Sequence, residues 1–135
     1  MYIIIAGCGK ICANLVKTLS NNGHDVVVID PNPERFNQLE GVTNCLTVTG
    51  MPIDEDVLKS AGIEHADALL AVTSDDNVNV MTAQIASQLY HVPHVVTRVY
   101  DPDKDEVLRQ MGLTTVCPTM LTVERVGLLL GETEE

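Results

Sequence analysis

The stretch Tyr2-Ile3-Ile4-Ile5-Ala6-Gly7-Cys8-Gly9-Lys10-Ile11-Cys12 decides the fold. Its first five residues form a short apolar run of the kind that a parallel sheet buries on both faces. Gly7-Cys8-Gly9 then reads as a tight turn. From Lys10 onward, Ile11, Leu15, Val16 and Leu19 recur at helical spacing. A strand that passes through G-x-G-x-x into a helix is the opening unit of a nucleotide-binding βαβ fold. Gly7 allows the turn, and Gly9 lets the backbone come close to a pyrophosphate. The free N–H groups of the helix start, at Lys10 and Ile11, then face the anion. Cys12 stands where a third glycine usually serves close helix–strand packing.

Beyond this unit, strand-like and helix-like segments alternate to the end. The first helix spans 10–22 and Gly23 stops it. Residues 26–29 are a second strand ending at Asp30. Pro31 and Pro33 punctuate a turn into a short helix over 34–39. A third strand covers 45–48 and a helix covers 54–61, with acids in its first turn. The fourth strand, 68–72, leads through Ser74 or Asp75 as cap into a long helix reaching about Tyr90. Val78, Met81, Ile85 and Leu89 are the expected apolar stripe of that helix. The fifth strand is 95–99. Asp101-Pro102 starts the next helix, to about Met111. A short sixth strand at 115–117 precedes a last helix over 120–130 and an acidic tail of Glu132, Glu134 and Glu135. Right-handed crossovers turn such a string into a Rossmann-type, doubly wound α/β fold. It is a parallel sheet of six strands in order 3-2-1-4-5-6 with helices on both faces. The 135 residues make one domain, with a crevice beyond the ends of strands 1 and 4.

That crevice gathers the residues with chemistry. Asp30 stands about twenty residues past Gly9, where an acid bonds the ribose hydroxyls of an adenosine and disfavours a 2′-phosphate. Its plainer reading is a turn residue before Pro31. Lys10 opposes the helix dipole unless an anion is present, so it reads as a phosphate contact or as a solvated lysine. Thr73, Ser74 and Asn77 face the loop from the far wall, either lining a ligand or only capping the next helix. Arg98 lies inside a buried strand, where arginine is uncommon without a partner. Its candidate partners are a phosphate, Asp101 or Asp75.

Composition narrows the function. With a net charge of −11 and only 8 Lys and Arg, the chain is a poor partner for nucleic acid or an anionic membrane. Its apolar runs fall short of the about twenty residues that a spanning helix needs, and the opening strand leaves no signal peptide. Direct lipid insertion is therefore not expected, and a cytoplasmic location is. Cys8, Cys12, Cys45 and Cys117 have no metal-ligand spacing and read as buried thiols of a reducing compartment. A redox role of Cys8 and Cys12 in the loop has no further support in the sequence. The histidines at 24, 65, 91 and 94 are scattered, with no catalytic dyad and no P-loop motif.

Four segments together resemble a known family. They are Ile3 to Lys10, Val26 to Asp30, Val57 to Asn79 (Val-Leu-Lys-Ser-Ala-Gly-Ile-Glu-His-Ala-Asp-Ala-Leu-Leu-Ala-Val-Thr-Ser-Asp-Asp-Asn-Val-Asn) and Val96 to Pro102. The chain is similar over nearly its whole length to the N-terminal domain of RCK proteins (regulators of K⁺ conductance), also called TrkA-N or KTN domains. The resemblance implies a regulatory domain, not an enzyme, that binds NAD(H), ADP or ATP. It implies that Gly7, Cys8, Gly9, Lys10 and Ile11 pass the phosphates, Asp30 and Pro31 hold the ribose, and Gly50 and Met51 flank the adenine side. Thr73, Ser74 and Asn77 line the far wall, with Arg98 near the phosphates. Met51 departs from the Asp usual after this glycine. The resemblance also implies a homodimer, or an octameric ring, under a membrane-embedded potassium channel or transporter subunit. The family's smaller C-terminal domain is absent from these 135 residues. The last helix, with Met120, Leu121, Val123, Val126, Leu128, Leu129 and Leu130, suits a subunit contact or ordinary packing on the sheet. Two other readings compete: a fragment of an NAD-dependent oxidoreductase, and an interaction module with an empty crevice.

Overall fold

The central strand is β1 (Tyr2–Ala6), and the apolar character of Ile3, Ile4, Ile5 and Ala6 follows from its place. It pairs in parallel with β2 (Asp25–Asp30) on one side and β4 (Ala68–Ala71) on the other. The computed structural model describes residues 1–132. Of the expected acidic tail, Glu134 and Glu135 lie outside the described residues, and Glu132 is exposed. The remaining strands are β3 (Cys45–Thr49), β5 (His94–Arg98) and β6 (Thr114–Val116). The 6-stranded sheet has the order β3-β2-β1-β4-β5-β6, all parallel, as the alternation of segments predicts.

Side chains alternate across the sheet and so build two cores. Ile3, Ile5, Val26 and Val28 pack against α1 (Lys10–Asn21) through Cys12 and Val16. Cys12 is fully buried there and fills the third-glycine position without lifting the helix from the strand. Ile4, Val27, Ile29 and Leu69 form the other core with α2 (Glu55–Ser60) through Leu58, and with Ile63 and Ala86. Asp54 caps α2 at its Asp56 N–H. Gly23, at φ 86, follows the end of α1 as expected.

Three expectations need correction. The segment after Pro31 is a 3₁₀ turn over Pro33–Leu39, not an α-helix, set by the proline and by the Asn32 side chain accepting from the Glu34 N–H. The expected apolar stripe of the helix after β4, α3 (Asp76–Gln84), holds only in part: Ile85 packs half-buried against the core and Val78 is half-buried. Met81 and Leu89 are 49% and 60% exposed, whereas Asn79, Thr82, Ala83 and Ala86 meet the sheet. Small residues let this helix lie close, and Asn79 is drawn inward by hydrogen bonds to the backbones of Thr73 and Arg98. A π turn over Ile85–Leu89 ends the helix, so the 3.6-residue spacing does not carry through to Leu89. Finally, α5 (Pro118–Leu129), which follows α4 (Pro102–Gln110) and β6, buries none of its residues. Packing on this chain's own sheet is therefore not what its apolar side chains do.

Candidate functional site

The loop between β1 and α1 forms as its glycines require. Gly7 has φ 110, and a Cβ there would sit 2.8 Å from the Thr73 backbone nitrogen, so only glycine fits. Its N–H donates to the Ile29 carbonyl at 2.8 Å, which ties the loop to β2. Gly9 is different. Its φ of −95 suits any residue, and a Cβ there would meet nothing within 4 Å. No side chain caps α1 and no acid lies in its first turn; the Cys12 N–H donates to the Gly9 carbonyl, and Lys10 and Ile11 have no side-chain acceptor.

Asp30, at the end of β2, is 1% exposed. Its Oδ2 accepts the Cys8 N–H at 2.8 Å and an Arg35 Nη1–H at 3.5 Å, and its Oδ1 accepts the Asn32 N–H at 2.8 Å. The Gln38 side chain donates to the Cys8 carbonyl at 3.1 Å. The 3₁₀ turn thus folds back over the glycine loop. Burial pushes the Cys8, Cys12 and Cys45 thiols up from their usual range, Cys12 furthest, with a hydrogen bond to Cys8 adding to it. All three stay protonated at neutral pH; Cys8, Cys12 and Cys117 are buried as expected, whereas Cys45, near the sheet edge, is only half-buried.

Across the crevice, Asn79 is the organising side chain. It accepts from the Thr73 N–H at 2.8 Å and from the Thr73 hydroxyl at 2.6 Å, and donates to the Thr73 and Arg98 carbonyls at 3.0 Å. Of the two candidate caps for α3, Asp75 fills the role, accepting from Asn77 and Val78 at 2.8 and 3.2 Å. Arg98 is 7% exposed. One guanidinium nitrogen donates to the Val72 and Thr73 carbonyls at 2.6 and 2.8 Å, and the group stacks 4.9 Å from the Tyr100 ring centre. Its Nε is buried with no partner. Arg98 makes no ion pair with Asp75 or Asp101; the Oδ1 atoms of those carboxylates cap α3 and α4, at the Asn77 and Asp103 N–H groups. Arg98 is therefore a buried cation without a counter-charge among the described residues.

These groups enclose a cleft of about 320 Å³. Gly7, Cys8, Gly9, Lys10, Ile11, Thr73, Ser74 and Arg98 line it, together with Arg35, Val72 and Tyr100, which sequence reasoning missed. Arg35 carried a signal, being one of only 8 Lys and Arg and lying just past Asp30 behind a proline turn. Three cations, Lys10, Arg35 and Arg98, line the cleft and no acid does. Asp30, Pro31, Gly50, Met51 and Asn77 are not on its wall. Asp30 lies behind Cys8 and Arg35, Gly50 packs under Val57, and Met51 is 46% exposed. A larger cleft of about 710 Å³ between α3 and α4, around Val80, Met81 and Val107, lacks both the glycine loop and this concentration of cations.

The TrkA-N domain family model matches residues 3–119. This chain belongs to the TrkA-N family. The Trk system potassium uptake protein TrkA of Streptomyces coelicolor is 39% identical over 126 residues, covering 93% of this TrkA-N chain and 56% of that protein. The chain thus spans about half the length of the curated relatives it matches. The GsuK crystal structure bound to ADP superposes with a TM-score of 0.78 at 26% identity, over 94% of this chain and 34% of that one. The AMP-bound Kef C-terminal domain of Shewanella denitrificans reaches a TM-score of 0.82 at 19% identity, over 96% and 79% of the two chains, a likeness of fold. The order of strands and the glycine loop are thus those of the TrkA-N fold, and no described helix is long and apolar enough to cross a membrane.

Proposed function

We propose that this TrkA-N domain binds an adenine nucleotide in the cationic cleft and regulates a membrane-embedded potassium channel or transporter through it. The observation that carries the reading is Arg98. A buried guanidinium with no counter-charge and an unpartnered Nε is costly unless an anion arrives. The open N-terminus of α1, Lys10 and Arg35 face the same space, an arrangement suited to a pyrophosphate. Gly7 and Gly9 keep the loop low enough for close approach, and Thr73 and Ser74 supply hydroxyls on the far side. The GsuK structure with ADP and the Kef structure with AMP support an adenine nucleotide as the class of ligand.

Burial holds the Cys8 thiol of the cleft wall protonated, and the cations and hydroxyls around it suit the binding of an anion. Binding without turnover fits such a site. Coupling then follows from population shift: a nucleotide that prefers one arrangement of subunits draws the assembly toward it. The subunit surface we assign to a homodimer, or to a larger ring, is α5. Its Leu121, Val123, Val126, Leu128, Leu129 and Leu130 are all more than half exposed or close to it, an apolar surface that a lone chain leaves in water. The domain then acts at the cytoplasmic face of the membrane, held there by its channel or transporter partner.

The test is a thermal-shift panel with ATP, ADP, AMP, NAD⁺ and NADH. A ligand at a hundred times its dissociation constant adds about 2.7 kcal/mol of stability. Stabilisation by at least one of them, lost in Arg98→Met, is the expected result. No shift with any of the five at millimolar concentration would refute the reading.

A further inference from the structure

We propose that Tyr100 is the positioning residue of this cleft: its ring seats Arg98 at the anion site, and its peptide joins that site to the start of α5, so that filling the cleft steadies α5. The inference rests on the nucleotide reading above. Arg98 is held through one nitrogen only, which donates to the Val72 and Thr73 carbonyls, and its Nε has no partner. The face of the guanidinium lies over the Tyr100 ring, with Cζ 4.9 Å from the ring centre, a distance at which an aromatic face attracts a cation. Such a face places a guanidinium without taking up its N–H groups, which an incoming phosphate needs.

Tyr100 is 40% exposed, so core packing does not fix the ring. Its backbone does. The Tyr100 N–H donates at 2.9 Å to Asp76 Oδ1, in the first turn of α3, and the same carboxylate takes the Asp101 N–H at 3.3 Å. The Tyr100 carbonyl accepts the Thr119 hydroxyl at 3.0 Å and the Cys117 thiol at 3.7 Å. Both donors belong to the start of α5. Cys117 precedes its first turn and is buried, whereas no residue of α5 itself is buried. Among the described residues, the side-chain hydrogen bonds from Cys117 and α5 to the rest of the fold end on this one carbonyl, and the Thr122 hydroxyl bonds within the helix, to Pro118. A helix held mainly at its first turn opens locally at little cost. An anion that fixes Arg98 therefore fixes the Tyr100 ring, its peptide and the first turn of α5 together.

Two measurements on the whole chain test this: calorimetry with ADP and AMP, and hydrogen exchange of the α5 amides with and without the tighter of the two. The expected result is that the saturating nucleotide slows exchange across α5 at least threefold. Tyr100→Leu should weaken the nucleotide at least fivefold, and Tyr100→Phe should restore it to within twofold, since a phenyl face still seats the guanidinium. Thr119→Val removes the tie to the Tyr100 carbonyl from an exposed position outside the cleft. It should leave nucleotide affinity within twofold and abolish the slowing in α5. Unchanged α5 exchange in an unaltered chain that binds nucleotide overturns the proposal. So does undiminished affinity in Tyr100→Leu, an equal loss in Tyr100→Leu and Tyr100→Phe, or full slowing retained in Thr119→Val. If neither nucleotide binds the unaltered chain, the nucleotide reading itself fails and takes this inference with it.

Discussion

Replacing Asp30 by alanine should destabilise the nucleotide-free domain by about 2–4 kcal/mol, a magnitude that follows from what its carboxylate holds. The Cys8 N–H is buried and bonded to Oδ2 at 2.8 Å. A buried donor that loses a charged acceptor costs about 1.5–3 kcal/mol. The Asn32 N–H, also at 2.8 Å, is only partly buried and finds water more easily, so it adds about 0.5–1 kcal/mol. The Arg35 pair adds little, since that side chain is 52% exposed and its contact is 3.5 Å long. The losses share one side chain and do not add fully. Urea unfolding without nucleotide, followed by circular dichroism, reads the change directly. If Asp30 instead waits as a free ribose acceptor, Asp30→Ala should leave the apo protein within about 0.5 kcal/mol of the parent, as surface changes do. That result would refute the brace argument and reopen the cleft wall to Asp30.

The two loop glycines should separate folding from binding. Gly7→Ala should lose about 2–4 kcal/mol of stability, from a φ of 110 and a Cβ 2.8 Å from the Thr73 nitrogen. Gly9→Ala should leave stability within about 0.5 kcal/mol, since its Cβ meets nothing, and any loss should appear in nucleotide affinity by calorimetry. Arg98→Met should weaken ADP or AMP at least tenfold while costing the apo domain less than about 2 kcal/mol, because an unpaired buried charge leaves with the side chain. Stability should fall as pH rises past about 8.5, where an unfolded Cys12 ionises and the buried one does not, by at most about 1.4 kcal/mol per pH unit for that thiol. The sign follows from a folded pKa raised above the unfolded one: the contribution is full below 8.5 and is lost above it. Urea midpoints at pH 7.5 and 10, for the parent and Cys12→Ala, check it, and parallel pH profiles would refute it. In α5, Leu128→Lys should shift sedimenting dimer toward monomer; an unchanged distribution would move the subunit contact elsewhere.

What the sequence made legible, and what it hid, divides along the range of the forces involved. The strand order was readable because Ile3–Ile5, Val26–Ile29 and Leu69 are apolar on both faces, a local signal that one parallel arrangement satisfies. The glycine loop was readable because φ at Gly7 is a local demand. Asn79 defeated the reading of α3. Periodicity ranks residues by hydrophobicity, and the helix turns a polar residue inward because four hydrogen bonds to Thr73 and Arg98 await it there. The same blindness hid Arg35, whose approach to the cleft depends on a 3₁₀ turn folding back over the glycine loop. It also leaves out what else Asp30 holds, since its spacing from the loop fits a ribose acceptor while its Oδ2 accepts the Cys8 N–H. A motif fixes which side chains end near one another. It does not fix which of two neighbouring charges, Asp30 or Arg35, stands in front, and in this cleft that order sets the sign of the charge a ligand meets.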